Sequence, residues 1–135
     1  MIKSFRDLDV WQKSNRLAHE VFDLTETFPR AYLFDLTSQL RRAALSIPTN
    51  IAEGCTTSHS KELIQFVNVA KRSASEVQCL LCFADERGLL EEERFRELDS
   101  RYEEVNRMLG GLKRSLRERQ PLETATRHSP LVTRH

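Results

Sequence analysis

Glycine, proline and cysteine are scarce in this chain, and long apolar runs are missing. Its 135 residues include four glycines, four prolines and three cysteines, whereas 30% of them are charged. Few turn-forming residues and many charged ones are typical of an all-helical protein. No apolar run approaches the roughly 20 residues that a membrane-spanning helix needs. The sequence therefore predicts one helical domain with its own core.

An excess of one charge is also absent, since 21 Lys and Arg residues face 20 Asp and Glu residues. The sequence contains no glycine-rich phosphate loop, nucleophile elbow or His-Glu metal-binding helix. We therefore expect no enzymatic activity, no metal and no cofactor. The first residues lack an apolar signal core and a small-residue cleavage site, from which we expect a cytoplasmic protein with no membrane partner.

The three cysteines, Cys55, Cys79 and Cys82, are odd in number and lack the spacing of a disulfide framework. Cys79 and Cys82 have the spacing of half a redox or zinc motif. They lie in the middle of a predicted helix, however, and the sequence offers no second pair of ligands with a matching spacing. Because cysteine packs as a small hydrophobe, we predict core or helix-interface packing rather than metal or redox chemistry.

The segment from Gln39 to Gly54 carries a proline inside an otherwise unbroken helical pattern. Apolar residues recur here in steps of four, three, four and four: Leu36, Leu40, Ala43, Ile47 and Ile51. This is the period of one helix face, and it does not reset at Pro48. Proline costs roughly 3 kcal/mol in a helix interior. We therefore predict a kinked helix that continues through Pro48 and whose packing compensates for that cost.

Periodicity predicts four helices, at about residues 5–27, 33–53, 58–87 and 91–120. Ser4 and Asp7 form a candidate capping box for the first helix, and Gly54 is a candidate C-cap for the second. The short connections predict an all-α, antiparallel up-down-up-down four-helix bundle over residues 1–118. Residues 119–135 are predicted to form a disordered polar and basic tail.

Two features depart from a simple bundle. The first helix carries two apolar stripes, which together form a wider apolar arc than one core needs, and this arc suggests a subunit interface. Gly110 and Gly111 interrupt the fourth helix, at a cost of roughly 1 kcal/mol each relative to alanine. That turn is predicted to be either frayed or closely approached by a neighbour.

A polar stripe runs beside the apolar face of the second helix: Gln39, Arg42, Ser46, Asn50 and Glu53. On the third helix, Glu76 and Ser73 interrupt an apolar flank, where an ionised carboxylate would need a partner. We predict a structural network that joins the two helices, with Arg42 and Glu76 at its centre and Ser46 and Asn50 beside them. The alternative is a catalytic carboxylate at Glu76.

The last part of the chain is basic, although the whole is nearly neutral. From Lys113 onward, six basic residues face two acidic ones, whereas the rest of the chain carries 15 basic and 18 acidic residues. A basic stretch of this kind is suited to following nucleic-acid phosphates. The alternative is a solvated helix end whose cations complement the helix dipole.

Four segments together resemble a known family: Phe5–Lys13, Phe28–Pro29, Leu36–Gly54 and Ser73–Glu76. They are similar to the four-helix bundle proteins encoded by intervening sequences within bacterial large-subunit ribosomal RNA genes. That family includes the accessory variability protein of diversity-generating retroelements. The resemblance covers about residues 3–116, and the second-helix segment is its most specific part.

The resemblance implies a homopentameric ring of four-helix bundles without catalytic activity. In the retroelement branch, it implies a non-enzymatic scaffold that binds a reverse transcriptase and structured RNA, and we take this accessory role as our first expectation. The alternative is an rRNA intervening-sequence protein of unsettled function, with RNA binding as one role.

Candidate contacts for RNA or DNA lie on the outer face of the second helix, on the third helix and near the end of the fourth: Arg41, Lys71, Arg72, Arg107, Lys113, Arg114 and Arg117. Repeated fivefold in a ring, even a modest patch becomes a multivalent cationic surface. For any single one of these residues, the alternative is an ordinary surface charge.

Overall fold

The computed structural model describes the backbone of residues 4–127 and the side chains of residues 4–120. Four long helices dominate this part of the chain: α1 (Asp9–Thr25), α2 (Ser38–Gly54), α3 (Ser60–Glu86) and α4 (Glu92–Arg127). No strand occurs between residues 4 and 127, which confirms the all-α class. No helix in that range is long and apolar enough to span a membrane.

The four helices pack around one hydrophobic core. α2 packs along α3, and α3 along α4, whereas α1 packs on α2 and makes a shorter contact with α4. Each helix contributes fully buried apolar side chains, such as Val21, Ile47, Val77 and Leu109. All of the buried apolar residues join in a single cluster, so the described chain forms one domain.

The start of α1 differs from the prediction. A 3₁₀ turn at Phe5–Asp7 precedes the helix, and Ser4 Oγ caps that turn by accepting a hydrogen bond from the Arg6 backbone N–H at 3.2 Å. Leu8 then adopts an extended conformation before α1 begins. The Phe5 ring meets the Trp11 ring edge-on at 5.0 Å and thereby holds the turn against α1. Ser4 therefore caps a short turn rather than the long helix.

α2 continues through Pro48 without a break, as predicted. A π-helical turn at Leu33–Thr37 leads into it. Pro48 is buried, and the neighbouring Ile47 and Ile51 are fully buried. This burial offsets the hydrogen bond that proline removes. The kink at Pro48 stays a prediction.

Gly54 is required by packing rather than by the left-handed C-cap that we predicted. A Cβ atom there would lie 2.5 Å from Leu63 Cδ1 and 3.0 Å from Phe66 Cβ of α3. Among the described residues, only Gly88 has a positive φ, of 75°. Gly88 and the backbone hydrogen bonds around it close α3 in a Schellman ending.

α4 is longer than predicted and continues through Pro121 to Arg127. The predicted disordered tail is therefore wrong for residues 119–127, which are helical, while residues 128–135 lie outside the described residues. The helix is also unbroken at Gly110 and Gly111, so the predicted fraying is wrong. Lys71 Nζ of α3 lies 3.5 Å from the position that a Cβ of Gly110 would occupy, which is an ordinary contact distance, so close approach by a neighbour stays a prediction.

Candidate nucleic-acid interface

The ion pairs of α4 are confined to its first half. Arg94 and Arg101 contact the Glu20 carboxylate of α1 at 3.0 and 2.8 Å. Arg96 contacts Glu92, one turn earlier in α4, at 2.6 Å. Arg94, Arg96 and Arg101 are therefore each paired with a carboxylate of the same subunit.

The cations of α4 from Arg107 onward form no ion pair with any side chain among residues 4–120. The four predicted contacts among them are Arg107, Lys113, Arg114 and Arg117, and all but the half-buried Lys113 are exposed. Arg117 lies about three turns before the end of α4 at Arg127. The helix dipole acts within the last turn, so it does not explain these cations.

Lys71 of α3 adds a fifth cation to this region. Its Nζ donates to the backbone carbonyl of Asn106 at 3.4 Å. A Cβ atom placed on Gly110 would lie 3.5 Å from Lys71 Nζ and 3.8 Å from Arg114 Nη1. The ammonium and the guanidinium therefore flank the same point on α4. We call Lys71, Arg107, Lys113, Arg114 and Arg117 the cationic surface.

The remaining two candidates lie apart from this cluster. Arg72 is exposed on α3, but one residue along a helix is a rotation of about 100°, so it lies on a different face from Lys71. Arg41 is half-buried, and its Nε donates to Thr25 Oγ1 of α1 at 2.8 Å. Its guanidinium also lies 4.8 Å from the centroid of the Phe22 ring. The predicted outer-face position of Arg41 is wrong, because this side chain folds back onto α1, while its contact with nucleic acid stays a prediction.

A cleft of about 590 Å³ lies between the end of α1 and the start of α4. Its charged lining consists of three glutamates and one arginine: Glu91, Glu93, Glu97 and Arg94. This net negative lining repels phosphate. The charge of α4 is therefore divided, with paired or acidic residues up to Glu104 and unpaired cations from Arg107 onward.

A sequence profile of the 23S rRNA-intervening sequence protein family matches residues 6–111. The chain belongs to this family. The resemblance inferred from the sequence is thus confirmed at the level of the family, while membership of the retroelement branch stays a prediction. The matched range includes Lys71 and Arg107 but ends before Lys113, so part of the cationic surface lies beyond it.

A crystal structure from the S23 ribosomal protein family, of a Bacteroides thetaiotaomicron protein with unknown function, has a similar fold. The TM-score is 0.72 at 22% sequence identity, and the match covers 78% of this chain and 95% of that one. At this identity the likeness concerns the fold alone. No functionally curated protein matches the chain.

The predicted polar network of this family member forms only in part. Ser73 Oγ donates to Ser46 Oγ at 2.8 Å, and Asn50 Nδ2 donates to the Ser46 carbonyl and hydroxyl at 2.8 and 3.0 Å. Arg42 and Glu76, the predicted centre, are both exposed and form no hydrogen bond or ion pair within the described residues. Water solvates both charges, so neither needs the other, and that part of the prediction is wrong.

The predicted core packing of the cysteines is wrong for Cys79 and Cys82. Both are exposed free thiols, on a face of α3 that also exposes Phe83. Cys55, at the end of α2, is half-buried, and burial raises the pKa of its thiol. Within the described residues, no group of three or more His, Cys, Asp or Glu side chains could hold a metal ion.

Tyr102 of α4 is a buried polar residue that the sequence analysis did not identify. The side chain is fully buried, and its hydroxyl has no hydrogen-bond partner in the described structure. Burial, with the charge of Glu20 as a smaller cause, raises the pKa of Tyr102 well above its usual value of about 10. Tyr102 therefore remains neutral at physiological pH and serves to fill the core.

Proposed function

We propose that this protein is a non-enzymatic, self-associating protein that binds structured RNA on its cationic surface. One observation carries the proposal. Arg94 and Arg101, early in α4, are paired with Glu20, whereas Arg107 and Arg114, further along the helix, have no carboxylate partner among residues 4–120. Unpaired cations clustered on one side of a nearly neutral protein are suited to a polyanion.

RNA is the polyanion that we propose, because the family is described by its link to intervening sequences of 23S rRNA. Lys and Arg side chains on a helix surface contact phosphates and carry little sequence information by themselves. Structured RNA is recognised largely by its shape and backbone. We therefore expect strong salt dependence and weak sequence preference.

The predicted cytoplasmic location stays part of the proposal. The absence of a catalytic role is also part of it. Catalytic sites bring several groups with displaced pKa values together in one cleft. Here the groups with displaced pKa values include Cys55 at the end of α2 and Tyr102 inside α4, and burial is the largest cause of both shifts.

The antiparallel arrangement of the bundle is supported by contacts between α3 and α4. Lys71 contacts Asn106, whereas Gln78, further along α3, donates to Asp99, which is earlier in α4. The partners on α4 move backward as α3 advances. Opposite chain directions explain this order.

Self-association is supported by exposed apolar side chains, whereas the homopentameric ring rests on the family resemblance alone. Phe34 is 91% exposed, Phe83 48% and Leu45 46%. Leu45 shares a groove between α1 and α2 with Phe22 of α1, the helix whose apolar arc is predicted to face another subunit. Large exposed apolar side chains are typical of surfaces that a partner covers. In a ring, the repeated cationic surface would bind RNA multivalently.

The role of reverse-transcriptase accessory stays a prediction. The family match favours the alternative, an rRNA intervening-sequence protein. The DNA around the gene distinguishes the two: an adjacent reverse transcriptase with paired template and variable repeats supports the first, and an interrupted ribosomal RNA gene the second.

Fluorescence anisotropy tests RNA binding directly. The probe is a labelled RNA hairpin with a stem of about 16 base pairs, the length that a double-stranded RNA-binding domain spans. If four phosphates are neutralised, affinity should fall about a hundredfold between 50 and 200 mM salt. Light scattering on the same samples gives the number of subunits. An affinity that does not change with salt concentration, or no binding at low salt, would contradict the proposal.

A further inference from the structure

Gly110 and Gly111 leave two adjacent positions of α4 without a side chain. Glycine weakens a helix interior relative to alanine. The subunit itself does not require either glycine, since neither has a positive φ. A Cβ atom at these positions would meet only side-chain ends, at 3.5 Å or more. No contact within the described subunit therefore explains why both positions are glycine, and we look for the reason in a binding partner.

Two cationic groups border this turn. Lys71 Nζ lies 3.5 Å from the Cβ position of Gly110, and Arg114 Nη2 lies 3.7 Å from that of Gly111. Arg114 forms no ion pair within the described residues, although Glu118 is four residues further along α4. Two neighbouring cations repel each other, and an anion between them would turn that repulsion into attraction.

We propose that Gly110 and Gly111 form the floor of a phosphate-binding notch, in which one RNA phosphodiester group lies between the Lys71 ammonium and the Arg114 guanidinium. This inference rests on the proposed function and gives it a defined contact point. The guanidinium can donate two parallel hydrogen bonds to phosphate oxygens, and the ammonium adds a point charge. The missing side chains allow the phosphate to approach the helix closely.

A second copy of this chain is a less suitable occupant. Paired glycines also permit close helix packing, but this surface carries Lys71, Arg107 and Arg114 around them. Two identical cationic surfaces repel each other, which disfavours self-association through the notch. An anion would fill the space above the glycines and neutralise the neighbouring cations.

The test blocks the notch without changing any charge. Gly111→Gln fills the space with a neutral side chain that favours helix, so the full-length variant should melt at a higher temperature than the wild type. Its affinity for the hairpin should fall roughly tenfold, and its salt slope should fall by about one phosphate contact. Gly110→Ala, a smaller obstruction, should show the same changes to a lesser degree. The control Ser100→Ala also favours helix, lies in the first half of α4, and should bind like the wild type.

The outcomes separate the notch from the proposed function. If Gly111→Gln and Gly110→Ala bind with unchanged affinity and salt slope while the wild type binds in a salt-dependent manner, the notch is wrong and the function stands. If the wild type binds no RNA, the proposed function itself fails. If either glycine variant changes the number of subunits in light scattering, the glycines serve a subunit contact and the notch is overturned.

Discussion

The same substitution, glycine to alanine, should have opposite effects at Gly54 and at Gly111. At Gly54 the new Cβ would lie 2.5 Å from Leu63 Cδ1 and 3.0 Å from Phe66 Cβ, closer than packed carbon atoms allow. At Gly111 it would lie 3.7 Å from the end of the Arg114 side chain, which is an ordinary contact. Sterics therefore dominate at the first site and helix propensity at the second.

The magnitudes follow from these contacts. Gly111→Ala should stabilise the fold by about 1 kcal/mol, the propensity difference in a helix interior. Gly54→Ala gains less from propensity, because Gly54 ends α2, and overpacking costs about 1–3 kcal/mol. The net result should be a destabilisation of about 1–2 kcal/mol. At about 3–5 °C per kcal/mol for a chain of this length, the two variants should differ in Tm by roughly 6–15 °C.

Thermal and urea unfolding measure this difference. All samples need the same protein concentration, because self-association links stability to concentration. Leu63→Ala in the Gly54→Ala background removes the nearest obstructing atom, so the cost of Gly54→Ala should shrink in a double-mutant cycle. If Gly54→Ala stabilised the protein as much as Gly111→Ala, the close approach of α2 to α3 would be refuted.

Two other predictions concern stability in urea unfolding. Arg41→Ala should lower the free energy of unfolding by about 1–2 kcal/mol, because it loses the Thr25 hydrogen bond and the Phe22 ring contact. Arg42→Ala should change the free energy of unfolding by less than about 0.5 kcal/mol, because Arg42 is exposed. Equal losses would contradict the assignment. Tyr102→Phe should be nearly neutral at pH 7, because the buried hydroxyl has no partner in the described structure. The pKa of Tyr102 is raised in the folded state, so the stability of the wild type should decline as pH rises above about 10, the pKa of an unfolded tyrosine. The stability of Tyr102→Phe should decline less over the same range. Identical alkaline stability profiles of the two proteins would contradict this cause.

Much of the fold could be predicted from the sequence because the spacing of apolar residues indicates which face of each helix is buried. The in-phase positions of Ile47 and Ile51 showed that α2 passes through Pro48, and both side chains are fully buried. Gly54 was misread, because a left-handed cap and a close helix contact both favour glycine and only the position of α3 distinguishes them.

The candidate site was harder to predict, because the environment of a charged side chain depends on neighbouring helices. Arg41 and Arg42 are adjacent in sequence, yet one folds onto α1 and the other faces water. The pattern also could not show that Lys71 of α3 meets Gly110 of α4, a contact between distant parts of the chain. The basic composition near the C-terminus did indicate where unpaired cations accumulate.

The most direct test of the account compares two variants that lose the same charge. One replaces Lys71, Arg107 and Arg114 of the cationic surface with glutamine, and the other replaces Lys13, Arg16 and Arg96 on α1 and the first half of α4. We predict that the first variant binds the RNA hairpin about a hundredfold more weakly at low salt, with a salt slope reduced by about three contacts. The second should bind within about threefold of the wild type, since any loss there reflects only the lower net charge. Equal losses in the two variants would contradict binding on the cationic surface.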